Sequence, residues 1–321
     1  MYTTLLAVGM VLSGLGASPL AGQLLFLSED RLPVEEQFRS VYRVDLSELD
    51  AEAQTKARII YTSELSVRDM VRAKVADRII VHATDHNTGY TEVAIINQSG
   101  KVLKTFENAV SAVFIDPLGT KMVFTKGYMD SNLLQASRGT WLYDFGAGRE
   151  EKIADTGLYL ERTYFDNSVY VRRGDGSSAF RYDIAPGRIE EVDLYYGGFS
   201  PQGTYRWGYK LVGGVEIVQR KSGNIVSEDF ELFSTRHHGT PLYWMNDNLI
   251  MVPHAGKELE DYLLFVETGR TLKAPGRALA VTEDGTGVYV CKPGLVVEKV
   301  PMDELQVLYE STVAVAVIDE D

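Results

Sequence analysis

Val281-Thr282-Glu283-Asp284-Gly285-Thr286-Gly287-Val288-Tyr289-Val290 reads as a strand, a tight acidic turn with glycine, and a second strand. β-Branched and aromatic residues flank the turn, and Asp and Gly supply the chemistry of a sharp reversal. The C-terminus, Val317-Ile318-Asp319-Glu320-Asp321, reproduces the first half of this pattern. Its second half, Gly22-Gln23-Leu24-Leu25-Phe26-Leu27, stands at the other end of the chain. Joined end to end they make one more copy, and a chain whose two ends complete one repeat closes a ring.

The same unit recurs at Val113–Phe124 and at Gly198–Tyr205, with Pro or an acid beside the turn and Gly at its exit. Degenerate copies at Ala73–Val81, Tyr164–Val171 and Trp244–Val252 keep the apolar alternation and lose the glycine. With the copy split between the termini the count is seven, and residues 22–321 then give about 43 residues per copy, the length of a four-stranded unit. A second mark follows each opening pair: a third strand that ends in a polar turn and leads into a short fourth strand. It is seen at Val93–Lys101, Leu142–Arg149, Tyr182–Arg188, Ile217–Asn224 and Phe265–Arg270.

These residues resemble the TolB-type and WD40-like β-propeller repeat, whose signature is Ser-Pro-Asp-Gly followed by apolar alternation. Ser200-Pro201-Gln202-Gly203 is the nearest match and Asp116-Pro117-Leu118-Gly119 the next. The Gly-His and Trp-Asp marks of the narrower WD40 family do not occur. The resemblance implies an all-β fold, a seven-bladed β-propeller of four-stranded antiparallel blades. Blade limits fall at about 22–64 with 312–321, then 65–108, 109–156, 157–194, 195–236, 237–275 and 276–311. The ring is expected to close by a C-terminal strand (about 313–318) pairing with the N-terminal strand (about 23–28), which removes an open sheet edge.

Composition agrees with strands and turns: 18 Tyr, 12 Phe and 29 Gly in 321 residues, with 45% apolar and 24% charged. The net charge of -13 opposes binding to a nucleic-acid backbone, which needs clustered Lys and Arg. Residues 1–21 carry an apolar stretch from Leu5 to Leu15 and then small residues, the pattern of a signal peptide without its basic flank. That stretch is shorter than the roughly 18 residues a membrane span needs. The single cysteine, Cys291, lies in an apolar run and reads as a core residue. An exported chain without disulfides fits a bacterial envelope, so the expected localisation is periplasmic or secreted, as a monomer.

Loops that join blades share a rim with loops joining each blade's second and third strands. Four of the five histidines fall on that rim. Asp85, His86, Tyr128, Asp130, Tyr195 and Tyr196 are the candidate ligand-binding residues. His237, His238 and His254 flank one blade and are the candidate metal ligands for a divalent ion, although their spacing matches no recognised metal motif and loop histidines are commonly solvated. The long loop Lys126–Gly139 and the acidic segment Ser28–Gln37 lie on the same rim. No Gly-x-Ser-x-Gly elbow, phosphate loop, zinc helix or paired Cys-x-x-Cys occurs.

Two readings stand. One is an exported, non-catalytic propeller with no cofactor that binds a protein, peptide or envelope glycan on this rim. The other is a propeller enzyme of lyase, lactonase or hydrolase type with a histidine-containing, metal-dependent site there.

Overall fold

The computed structural model describes residues 22–27, 39–52, 54–73, 75–85, 87–116, 118–129, 135–155, 159–160, 168–172, 179–183, 188–192, 198–200, 203–209, 215–219, 221–223, 225–227, 243–252 and 260–309. The first section of chain gives β1 (Gln23–Leu27), β2 (Ser40–Asp45), a short helix α1 (Leu46–Glu52), β3 (Gln54–Lys56) and β4 (Arg58–Thr62). Two regular four-strand sections follow. The first holds β5 (Ser66–Arg72), β6 (Ile79–Thr84), β7 (Thr91–Ile96) and β8 (Val102–Glu107). The second holds β9 (Ala109–Phe114), β10 (Lys121–Met129), β11 (Gln135–Asp144) and β12 (Arg149–Ala154).

The fourth section holds β13 (Tyr159–Leu160), β14 (Ser168–Arg172), β15 (Ala179–Asp183) and β16 (Arg188–Val192). The fifth holds β17 (Gly198–Phe199), β18 (Tyr205–Tyr209), β19 (Val215–Gln219) and β20 (Ile225–Ser227). The sixth holds β21 (Tyr243–Asn246), β22 (Leu249–Val252), β23 (Tyr262–Phe265) and β24 (Thr271–Lys273). The last holds β25 (Arg277–Val281), β26 (Gly287–Lys292), β27 (Val296–Pro301) and β28 (Gln306–Tyr309).

Among the described residues these strands form antiparallel sheets in which neighbours in sequence are neighbours in space, most of them four-stranded. The hairpin at Thr282 explains why the opening sequence pattern works. The Thr282 hydroxyl accepts the Gly287 N–H at 2.9 Å, and Gly285 takes φ +72°. The Ser200 hydroxyl accepts the Tyr205 N–H in the same way, at 3.1 Å. At Asp116 a carboxylate performs this service, accepting from Thr120 and Lys121. Three different side chains with an acceptor oxygen thus close the same kind of turn.

Two outer strands depart from the one-sheet-per-section plan. β3 leaves the first sheet, β1–β2–β4, and supplies the fourth strand of the last, pairing Lys56 with Val296 and Gln54 with Glu298. β28, which the blade limits assign to the last sheet, instead pairs with β24 as the fifth strand of the sixth. The N-terminal and C-terminal parts of the chain are therefore hydrogen-bonded together through β3 and β27. The expected closing strand, about 313–318, lies outside the described residues.

Apolar cores fill the seams between sheets. Leu24, Phe26, Tyr42 and Val44 pack with Leu279, Tyr289 and Val297, joining the first sheet to the last. The opposite face of β1, with Leu25 and Leu27, packs on Val67, Met70, Ile79 and Val81 of the second. Equivalent clusters join the second sheet to the third, the fifth to the sixth and the sixth to the last. A strand apolar on both faces, such as β1 or β6, is what a sheet packed on two sides requires. Each fully buried Leu or Phe contributes roughly 2 to 3 kcal/mol.

Candidate functional site

Antiparallel pairing sets the second-to-third strand turns and the sheet-to-sheet connections on one rim. Asp85 begins the turn between β6 and β7, and its carboxylate is committed to that turn. It accepts the Asn87 N–H at 2.8 Å and the Thr88 hydroxyl at 2.6 Å. Its backbone N–H donates to Tyr90 and its carbonyl accepts from Gly89. Asp85 therefore shapes the rim.

The segment read as the long loop Lys126–Gly139 is largely a hairpin. β10 continues to Met129 and β11 starts at Gln135, with Gly127 opposite Ser137, Tyr128 opposite Ala136 and Met129 opposite Gln135. β9 pairs with β10 only as far as Lys126, and β12 pairs with β11 only from Thr140. The pairing of the hairpin thus continues past the ends of both flanking ladders. Polar alternation after Lys126 looks like a loop in sequence, and only the pairing partner reveals the strand. At the base of the hairpin Lys126 pairs with Glu150 at 2.5 Å and lies 4.1 Å above the Trp141 ring.

Around the β6–β7 turn the rim is acidic. Glu92 stands directly opposite Glu107 in the β7–β8 register. Burial first, then the charges of Glu107 and Glu64, hold the Glu92 carboxyl above its ordinary range. Burial and Glu92 in turn raise the Tyr90 phenol, and burial, partly offset by a hydrogen bond to Ser63, raises that of Tyr61.

Of the other sequence-derived site residues, Tyr128 has a backbone position in β10. His86, Asp130, Tyr195, Tyr196, His237, His238 and His254 lie outside the described residues, as does Ser28–Gln37. Among the described residues no group of three or more His, Cys, Asp or Glu side chains has the arrangement of a metal site. Cys291 is buried in the seam between the first and last sheets, and desolvation pushes its thiol up to about 12.

The side chains that hold the rim together were not legible in the sequence. Asp261, fully buried at 0% exposure, receives Arg277 at 2.8 Å and the Ala278 N–H at 3.0 Å. Its own N–H donates to the Gly276 carbonyl, and its carbonyl accepts from Ala274. One aspartate thus ties the sixth sheet to the first strand of the last. At the corresponding seam between the second and third sheets, Nε2 of the buried His82 accepts the Ala112 N–H at 2.9 Å.

No family model matches the chain, and no curated protein matches it in sequence. A chain in the crystal structure of a mitotic checkpoint complex is similar in structure, with a TM-score of 0.50 at 11% identity. The match covers 87% of this chain and 84% of that one. The fold is of the β-propeller type. At that identity the likeness carries the architecture alone.

Proposed function

We propose that this protein is a non-catalytic, seven-bladed propeller that binds a protein partner on the rim carrying the β6–β7 turn and the β10–β11 hairpin. The observation that carries the reading is the hairpin, whose pairing continues to Met129 and Gln135 past the ends of the flanking ladders and so presents strand edges of the kind another chain can join. The acidic surroundings of Glu92 and Glu107 favour a partner segment with Lys or Arg. The structural neighbour belongs to a multiprotein assembly, in keeping with a scaffold role. The Ser200 turn motif supports a TolB-type repeat, and the leader pattern of residues 1–21 supports export to the envelope.

Affinity capture tests this directly. A partner retained by the full protein should be lost when the hairpin beyond Lys126 is replaced by a two-residue turn, and kept when Leu118, on the opposite rim, becomes Ser. It should also elute with rising salt. Equal retention by the shortened hairpin, or nothing retained above background after cross-linking, overturns the reading.

The ring is proposed to close at the seam between the first and last sheets, with Val313–Ile318 placed beside β1. In the described first sheet β1 is an end strand yet is buried on both faces. Deleting Thr312–Asp321 should lower the melting temperature of the whole domain, and an unchanged cooperative melt sinks the closure.

A further inference from the structure

The third sheet loses its first strand before the hairpin that follows is complete. β8 ends at Glu107 and β9 starts at Ala109, and Asn108 between them takes φ +53°, a left-handed corner that asparagine tolerates better than most residues. The corner takes the chain out of line with β10. The Asn108 carbonyl accepts the Gly127 N–H at 2.7 Å, and among the described residues no strand pairs with that side of β10 beyond Lys126. β10 nevertheless continues to Met129, held on its other side by β11. Backbone groups of successive strand residues face opposite sides. With Gly127 turned toward Asn108, those of Tyr128 face β11, and the N–H and C=O of Met129 face the side that β9 has left.

The other edge of the hairpin is more crowded. At Gly139, where β12 stops following β11, a Cβ would lie 2.7 Å from the Ala154 carbonyl oxygen and 2.7 Å from Cε of Lys152. The end of β12 therefore presses on β11 and brings an ammonium group with it, paired with Asp155 at 2.7 Å. Charge separates the two edges in the same sense. Exposed Glu107 directly precedes the Asn108 corner, and Glu92 stands opposite it on β7. Among the described residues no Lys or Arg pairs with either carboxylate.

We propose that the β10 edge left open by the corner at Asn108 takes an extended segment of a partner protein as an added strand, antiparallel to β10, with a Lys or Arg directed at Glu107. The added strand runs in the direction of β9 and ends against the corner, so it is short. Backbone bonds to Met129 hold it, and the basic side chain sets its register. This assigns an edge and a partner chemistry to the binding proposed above and rests on that reading.

A capped Val-Lys-Val-Arg-Val peptide, titrated into the full-length protein and followed by amide NMR, is the probe. It should bind with Kd below about 1 mM and slow exchange of the Met129 amide. Methylating one alternate set of its amide nitrogens should abolish binding and methylating the other should not, since only one set faces β10. Met129→Pro, which removes the N–H on the open side, and Glu107→Lys should each weaken binding about tenfold or more. If Met129→Pro disturbs the hairpin, the methylated peptides on the natural protein decide the matter. A peptide that does not bind, equal effects of the two methylated sets, or full binding to the Glu107→Lys protein overturns the strand addition. The broader reading has its own outcomes. A captured partner that needs the hairpin yet keeps its affinity for both variants leaves that reading standing and removes this one. Peptide docking on β10 with no captured partner does the reverse.

Discussion

The seam between the sixth and last sheets and the seam between the second and third solve one problem with different chemistry. In each, a buried side chain of the earlier sheet takes a backbone N–H from the first strand of the later one, at Ala278 and at Ala112 respectively. Asp261 does so as a carboxylate neutralised by Arg277, and both of its oxygens and both of its backbone groups are engaged. His82 does so through Nε2 of its imidazole, beside the cluster of Phe106, Phe124 and Tyr143 that also holds Ala112. The carboxylate seam is strong but costly to break, because removing either partner strands a buried charge. The imidazole seam depends more on the apolar packing around it.

The largest effect should follow from breaking the charged seam. Asp261→Ala leaves Arg277 and the Ala278 N–H without their acceptor and should cost about 3 to 5 kcal/mol in chemical denaturation. A loss under about 1 kcal/mol would show that water enters the seam and that the two seams are more alike than their chemistry suggests.

A smaller loss is expected at the apolar seam. Gly119 has φ +61°, and a Cβ there would lie 2.6 Å from the Cβ of Ala73 in the neighbouring sheet. Gly119→Ala should cost about 1 to 3 kcal/mol by the same measurement, from left-handed strain and crowding together. A neutral outcome would mean that the turn yields without disturbing the seam.

On the other face of the second sheet, Glu92→Gln should stabilise by a fraction of a kcal/mol at neutral pH, since much of the carboxyl is solvated. The sign follows from its raised pKa. The charged form is disfavoured in the folded protein, so its cost is present above that pKa and vanishes as pH falls toward the unfolded value of about 4.3. Denaturation at several pH values should find the natural protein and the variant converging in acid.

The smallest effect belongs to Asp284 in the last sheet. The Thr282 hydroxyl and the Thr286 N–H hold its carboxyl down to about 2. Its contribution is fully present above the unfolded value of about 3.9 and is lost as pH falls toward 2. Asp284→Ala should lower the neutral melting temperature slightly and flatten that acid limb, so that variant and natural protein converge as pH falls toward 2.

Much of the fold was legible because it is local. Turn chemistry at Thr282, Ser200 and Asp116, with the alternation on either side, reports hairpins whose hydrogen bonds span about five residues. The candidate site was less legible. The sequence marked the β6–β7 turn and the region of Tyr128, yet it took the Lys126–Gly139 hairpin for a loop and did not reveal that the Asp85 carboxylate braces its own turn. It passed over His82 and Asp261, because each looks like one polar residue in or beside an apolar run. Their partners stand 30 and 16 residues away.

By itself, the sequence determined an all-β chain built from repeated strand-turn-strand units, since side-chain period and turn residues act over a few neighbours and survive in the order of amino acids. Only the tertiary structure decided that β3 completes the last sheet, that β28 extends the sixth, and that Asp261 and His82 fasten neighbouring sheets. Those choices depend on which backbone N–H and C=O groups are left unpaired once the sheets have packed. That remainder exists only in three dimensions.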